Sequence, residues 1–483
     1  MSAKSNKTTL SFAKEDTIGV LPTTPDWYTI EWNDLTTFGA SISTVSRNPV
    51  SQKLMEQEGA VSDLDSAVEY QTDLTVSSFN NFAQGMFYSV WKAQTEFTPT
   101  AVTTTGYTVT SGGTLASGTL VYAKNFSNSE NNGLKVCTTS TVDTEIEVTT
   151  TLVAESPPPD GATVTVAGIQ GASDDIQMDS DGNLISTLLD FTTLGIQVGQ
   201  SIYVGGSDDA TKFTATDSNG FARVRIIEAN KLTLDKRDWT TGVADSGTGK
   251  TIQIFIGSFI RNVPQDDSDF LEETYTFEGK IEGMTEGIVY EYPNGNKINT
   301  VAIEFPLTDK ASITYSFIGL DTPVPTSTRK TGNRYNTYDH AAFGTTSDFA
   351  RLSMKDSSMS DYTTNFKSLT ININRNVSPE KVIGQLGAAD MNTGILNVEG
   401  SASVIYNDSD MIAAARNNET TTLDFAVVND DGCLHFDIPS MKFTTKKSFP
   451  INESVLVDVT MKTFEDSYFN YVISCTKYVY IPI

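Results

Sequence analysis

The chain has 483 residues and a formal net charge of −27, from 60 acidic and 33 basic side chains. That balance excludes a protein that wraps DNA or RNA, which needs Lys and Arg to neutralise phosphates. It fits either a surface past which nucleic acid slides without sticking or a solvated acidic exterior. With 25 Phe and 18 Tyr, dense β-branched residues and few helix formers, the chain is globular and mainly β, long enough for roughly two to four domains.

In chain order, residues 1–25 are polar and carry Leu21-Pro22-Thr23-Thr24-Pro25, an extended arm by pattern. The start, Met1-Ser2-Ala3-Lys4, has no apolar core of a secretion signal, and no apolar run approaches the ~18 residues of a membrane span. Strands are expected at Trp27–Trp32 and Ser41–Ser46, then a polar loop to about Asp65. Val68, Tyr70, Thr72, Leu74 and Val76 alternate with polar residues as a half-buried strand does. Phe79, Phe82, Ala83, Met86, Phe87 and Val90 make one apolar helix face, with Ser77 or Ser78 as N-cap.

After Trp91 the composition shifts to Thr, Gly, Ser and Asp. Residues 97–257 read as an insertion of two small β-modules, because Gly118–Tyr122 resembles Gly199–Tyr203 and Asn131-Asn132-Gly133 resembles Ser218-Asn219-Gly220. The first pattern resumes with strands at Tyr275–Phe277, Ile288–Tyr292, Ile298–Ile303 and Ile313–Phe317, with Pro293-Asn294-Gly295-Asn296 as a hairpin turn. Residues 326–345 read as a linker.

The last part repeats the first. Arg47-Asn48-Pro49 matches Arg375-Asn376-Val377-Ser378-Pro379, Val68-Glu69 matches Val398-Glu399, and Pro49 to Val68 and Pro379 to Val398 are both steps of 19 residues. A fixed spacing between landmarks argues for a duplicated domain: residues 1–96 with 258–325, and again 346–483. Leu369–Ile373, Val398–Val404, a helix at Ser409–Arg416, Leu423–Val427 and Val455–Met461 fill the second copy. Each copy reads as a β-sandwich or barrel with one helix.

Chemistry lacks its parts. Ala244–Thr251 has a phosphate-loop-like pattern, but Thr251–Ile256 alternates as a strand where that loop needs a helix. Asp179, Asp181, Asn183 and Asp190 resemble part of a calcium loop, but Gly182 is at the wrong position and no helix precedes it; an Asx turn accounts for them better. Cys137, Cys433 and Cys475 have no metal or disulfide spacing and suit a reducing compartment, and the two histidines, His340 and His435, sit in no catalytic motif. No enzyme, cofactor or metal site is expected. The loops Asn48–Leu64 and Asn376–Gly394 are similar in length and long for a β protein. Their Leu54, Met55, Glu56 and Glu58, and Lys381, Val382, Ile383 and Leu386, are candidates for docking between subunits.

The order of Thr/Ser-rich strand, long loop, helix behind the sheet and Gly295–Asn299 hairpin resembles major tail tube proteins of long-tailed, non-contractile bacteriophages, over about 1–96, 258–320 and 346–483. The resemblance implies rings with an inner β-barrel, stacked into a virion tail tube that conducts DNA without binding it specifically. It implies assembly in the host cytoplasm, and tape-measure, tail-tip and tail-terminator partners. A duplicated chain implies three subunits in a pseudo-hexameric ring, docking loops that reach the next ring, and an insertion that projects outward. Glu69, Asp73 and Glu399, on polar strand faces, are the candidate lumen acids. The rival reading is a virion or cell-surface protein that binds a receptor or carbohydrate.

Overall fold

The computed structural model describes residues 5–47, 50, 55, 57–140, 142–215, 218–239, 244–284, 287–336, 340–362, 365–407, 409–451 and 454–483. Strands dominate, as the composition predicts. They begin with β1 (Thr8–Lys14), β2 (Asp26–Ile30), β3 (Asp34–Arg47) and β4 (Gln57–Asp73). The helices are short: α1 (Val76–Asn80), α2 (Ala83–Phe87) and α3 (Asp410–Asn417).

One 12-stranded sheet joins the two sequence-related halves. The first half contributes β3, β4, Ser312–Gly319 and Lys297–Phe305, side by side in that order. The second contributes Asn365–Asn374, Asn397–Ile405, Leu456–Thr463 and Gly432–Ser448. In both halves the order is strand before the loop, strand after it, then two antiparallel strands in reverse chain order: Ser312–Gly319 and Lys297–Phe305 in the first, Leu456–Thr463 and Gly432–Ser448 in the second. The halves meet where Lys297–Phe305 pairs antiparallel with Asn365–Asn374, from Thr300↔Asn374 to Phe305↔Leu369. The path is open, so neither half closes the expected barrel by itself.

Strand alternation aims one face of these strands at a back layer. Val68, Tyr70, Ile303, Ile313, Ile371, Val398 and Val459 pack into one core with Leu10, Phe12, Phe277, Phe425 and Phe436 from behind. The back layer of the first half is a five-stranded sheet in which β1 lies between β2 and Tyr275–Met284. The chain start is therefore not an extended arm: Leu10, Phe12 and Ala13 are buried. Three apolar residues in a short polar stretch were enough to make a strand.

Three further expectations change. The helix over Phe79–Val90 is two single turns, because Asn80-Asn81 end the first and Tyr88, at φ 51°, ends the second. Its cap is Thr75, not Ser77 or Ser78. Thr75 accepts from the Ser78 amide at 3.0 Å, and Ser78 Oγ accepts from the Thr75 amide at 2.9 Å, a reciprocal capping box. Pro293–Asn296 is not a hairpin turn. Gly287–Glu291 pairs with Tyr275–Met284 and Lys297–Phe305 with Ser312–Gly319, so these residues carry the chain from back layer to front. Gly295, at φ 61°, and the buried Asn296, whose amide donates to the Tyr275 and Pro293 carbonyls, fix that crossing. In the second half Gly432–Ser448 makes the same crossing unbroken, pairing first with Thr421–Asn429 behind and then with Leu456–Thr463 in front.

The stretch read as a linker is strapped down. Asn333–Tyr335 pairs parallel with β2, and Arg329 and Arg334 both reach the buried Glu278 at 2.7 Å. The insertion holds a ten-stranded sheet and two cores of its own. Its modules share a loop. Asn132 accepts from the Phe126 amide and donates back to the Phe126 carbonyl, and Asn219 does the same with Phe213. Glu155 caps the Ser127 and Asn128 amides as Asp245 caps those of Thr214 and Ala215.

Phe82 sits at the centre of the first half, with ring centroids of Phe12, Tyr315, Tyr275 and Phe317 at 4.5, 5.0, 5.1 and 5.3 Å. Phe82→Ala should lower unfolding free energy by about 3–5 kcal/mol. Denaturant titration followed by tryptophan fluorescence checks it; a loss under ~1 kcal/mol would mean the cluster collapses around the gap.

Candidate functional site

The front face of the 12-stranded sheet, opposite the core, is polar from one side to the other. The same alternation that buries Val68 and Tyr70 turns Glu69, Gln71 and Asp73 outward. Register then lines up rows across the strands. One runs Gln71, Thr314, Ala302, Asn372, Glu399, Lys462, Lys442. The next runs Asp73, Ser312, Glu304, Thr370, Ser401, Thr460, Thr444. All three candidate lumen acids, Glu69, Asp73 and Glu399, therefore share this face. Asp73 is paired with Lys310 at 2.8 Å. Sequence reasoning missed Glu304, although the buried Val301, Ile303 and Phe305 around it already implied its direction. It also missed the basic side of the face: Lys442, Lys446 and Lys462, with Asp458 among them.

Among the described residues, both ends of this face are unpaired strand edges. β3 pairs only with β4, and the Lys442–Ser448 part of its strand pairs only with Leu456–Thr463. Edges with unused backbone donors and acceptors are templates for another strand.

The end of the first candidate loop is strand. β3 and β4 pair as far as Arg47↔Gln57, so residues 57–64 extend the strand and the pair stands out as a hairpin arm. The β-branched Ile42, Thr44 and Val45 of β3 favour that extension, which the polar composition of 57–64 had hidden. Beyond Leu64 no described residue of the arm is buried: Ile42, Val45, Val61, Met55 and Glu58 are exposed. Leu54 and Glu56 lie outside the described residues. An isolated two-stranded ribbon with exposed apolar side chains is marginal in water and needs a partner surface.

The second loop folds differently, as a small hairpin of Ser378–Glu380 with Asp390–Asn392, anchored by buried Val377, Ala388 and Met391. Its turn leaves Val382, Ile383 and Leu386 exposed. The structure brings the two candidates together: Lys381 Nζ lies 2.6 Å from both Asp63 and Asp65 at the base of the arm. That ion pair raises the Lys381 pKa and lowers that of Asp63. It is solvent-exposed, so it orients more than it stabilises.

A profile of the phage tail tube protein family matches residues 5–462, nearly the whole chain. The chain belongs to the phage tail tube protein family. Membership implies a structural role, a place in the virion tail and self-assembly into a tube. Among curated proteins none matches the chain. No helix among the described residues is long and apolar enough to cross a membrane.

In this tail tube protein the insertion packs on the back layer, away from the polar face. Leu120, Ala167, Phe221 and Phe255 of the insertion meet Ala426, Cys433, Tyr478 and Ile481. That cover explains why Thr421–Val427 is buried on both faces. At the centre of the contact lies a buried charge cluster. Arg223 holds Asp235 at 2.7 Å and Asp437 at 3.2 Å, Lys236 also pairs with Asp437, and Arg351 pairs with Asp424 and Asp238. His435 Nε2 is 3.4 Å from Asp424.

The other candidates are turns. Asp179 accepts from the Asp181 and Asn183 amides and pairs with Lys231 at 2.8 Å, so an ammonium already neutralises that carboxylate. Among the described residues no group of His, Cys, Asp and Glu could hold a metal ion. Ala244–Thr251 leads into the Gln253–Ile256 strand, not a helix, which removes the phosphate-loop geometry.

The charge cluster gives a pH dependence. Burial depresses the His435 pKa against the pull of Asp424. Burial alone would raise Asp424 and Asp437, but Arg351 holds the first, and Lys236 and Arg223 the second, below the usual value. All three shifts mean that the unfolded chain binds protons the folded chain does not. Stability is full above the unfolded histidine pKa of ~6.5, falls as pH drops through it, and falls again below ~3.9. The melting temperature should therefore decline from about pH 7 to pH 5, and decline less in His435→Gln. Equal slopes for both proteins over that interval would remove His435 from the account.

Proposed function

We propose that three copies of this chain close head-to-tail into a pseudo-six-fold ring, and that rings stack into the tail tube of a long-tailed, non-contractile phage. DNA passes through the bore during ejection without specific binding. The observation that carries this reading is the joint between the halves. Lys297–Phe305 of the first half pairs with the strand before the loop of the second, Asn365–Asn374. The two unpaired edges of the polar face are the same pair of strands once more: the Lys442–Ser448 part of Gly432–Ser448 in the second half and β3, the strand before the loop, in the first. A second copy can therefore repeat between chains the joint that one chain already makes within itself, and repetition by rotation closes a ring without edges.

The register follows. Val301 faces Tyr315 as Phe443 faces Met461, and Ile373 faces Val398 as Phe38 faces Val68. Copying the joint puts Phe443 of one chain opposite Phe38 of the next. It also brings Lys446 and Lys447 toward Asp34, which favours the correct edge over like-with-like pairing. The halves are then duplicated tube domains, and the polar face with Glu69, Asp73, Glu304 and Glu399 lines the bore. Acids and hydroxyls there repel or ignore phosphate, with a range of about 8–10 Å at ordinary salt. The insertion on the opposite face projects outward. The arm crosses to the adjacent ring, and tape-measure, tail-tip and terminator proteins meet the interior and ends of the tube as it is assembled in the host cytoplasm.

Negative-stain microscopy of the purified chain, with mass measurement of any ring, tests this. Hollow tubes, or rings of three chains with six-fold-looking projections, are expected. Replacing Thr44–Ser62 by Asn-Gly joins the Ser43↔Asp63 pair through a two-residue turn and should leave rings that do not stack. Compact trimeric spikes without a bore would sink the reading in favour of receptor binding. Long tubes from the armless chain would remove the arm's role alone.

A further inference from the structure

Exposed apolar side chains gather at the two opposite ends of the front strands. At the end that bears the arm stand Val382, Ile383 and Leu386; at the far end stand Leu307, Phe449 and Ile451. Between the strands at that far end lies a groove of about 410 Å³. Phe305, Leu307, Phe349, Leu352 and Phe366 supply its apolar wall, with Lys367 at its side. It sits at the foot of the joint between the halves, where Phe305 pairs with Leu369. The Phe305 and Phe349 rings, 5.0 Å apart, hold its floor.

We propose that this groove receives the Val382–Leu386 turn of a second copy in the next ring. The inference rests on the tube reading above and adds to it the acceptor for one of its contacts. Three observations carry it. First, turn and groove lie at the two ends of one strand: Asn365–Leu369 lines the groove, and Asn374, at the other end of Asn365–Asn374, leads into the hairpin that carries the turn. A displacement along the strands, which is what stacking a head-to-tail subunit amounts to, carries one toward the other. Second, the sizes agree. A cavity of ~150 Å³ accepts a benzene, so this groove takes two or three aliphatic side chains, which is what Val382, Ile383 and Leu386 offer. A two-stranded arm is too bulky for it. Third, the turn is held ready. Lys381 is tied to Asp63 and Asp65, and the Ala388 amide donates to the Leu320 carbonyl at 3.0 Å, so little conformational freedom is lost on docking.

Residues 382–386 of each copy therefore plug the joint of the copy beyond, and stacking also locks the two halves of the acceptor together. The test uses the full chain, whose cysteines, Cys137, Cys433 and Cys475, are all buried and slow to label. Tubes are formed and treated with a short bismaleimide. Ile383→Cys with Leu307→Cys in one chain should give a covalent ladder of many subunits, and neither single variant should. Ile383→Asp and Leu307→Asp, both at exposed positions, should each reduce tube length at least tenfold while circular dichroism stays unchanged. Ile383→Asp combined with Leu307→Lys should recover most of that length. If tubes form but the ladder is absent, or if Val45→Cys cross-links to Leu307→Cys in its place, the groove belongs to the arm or to nothing and the inference falls. If the unaltered chain forms neither rings nor tubes and no pair cross-links, the tube reading fails with it.

Discussion

Between Thr300 and Phe305 the first half of the chain pairs, residue for residue, with Asn374 back to Leu369 of the second. Ladder hydrogen bonds make that joint indifferent to side-chain identity, but the pleat does not. Val301 and Ile303 must share a face with Ile373 and Ile371, or both halves would expose their cores. Once this register is set, the core of one half continues into the core of the other, and the polar faces continue too. One joint thus fixes the relative orientation of the two halves, the continuity of a broad polar surface, and the character of the two edges left over. Because the order of strands is the same on either side of it, those edges have the same relation to each other as the strands already joined.

On the proposed reading, the polar face would serve DNA passage with modest chemistry. Its rows are mostly Ser, Thr and Asn, residues that satisfy themselves with water and offer phosphate no bidentate grip. Acids concentrate toward β4 and the joint, lysines toward the Lys442–Ser448 edge. In an isolated subunit this segregation wastes Coulomb energy. In the proposed ring it would become complementary, and it is the kind of asymmetry that selects head-to-tail over head-to-head contact.

Much of this was legible in the sequence, and the failures have specific physical causes. Alternation placed Val68–Leu74, Leu369–Ile373 and Val398–Val404 on strands with the correct faces, and so put Glu69, Asp73 and Glu399 on the polar faces of their strands. The twin landmarks at Asn132-Gly133 and Asn219-Gly220 marked loops that are built by the same hydrogen bonds. The arm was misread because its outer strands are wetted on both faces, so no hydrophobic period exists to announce them. The crossing at Pro293–Asn296 was misread because a turn signature reports a local bend and not which strands it connects. The joint itself was invisible: pairing between Lys297–Phe305 and Asn365–Asn374 spans a sequence distance that no local pattern encodes. The pairing of Lys381 with Asp63 and Asp65 lies beyond sequence for the same reason.

The buried charges between insertion and back layer bear on what the insertion is. Arg223 and Lys236 from the insertion side converge on Asp437, while Arg351 reaches forward to Asp238. Removing one partner of such a set strands a charge in low dielectric, at a cost of about 3–5 kcal/mol, whereas the complete set contributes little net stability over an apolar contact. A module added for decoration would more simply rest on an apolar patch, and Leu120, Phe221 and Phe255 already provide one. What the ionic cluster adds is direction. Apolar surfaces tolerate sliding and rotation, but Asp437 can satisfy Arg223 and Lys236 together in only one placement. The insertion is therefore held at a set angle to the sheet, and every copy in an assembly presents it identically.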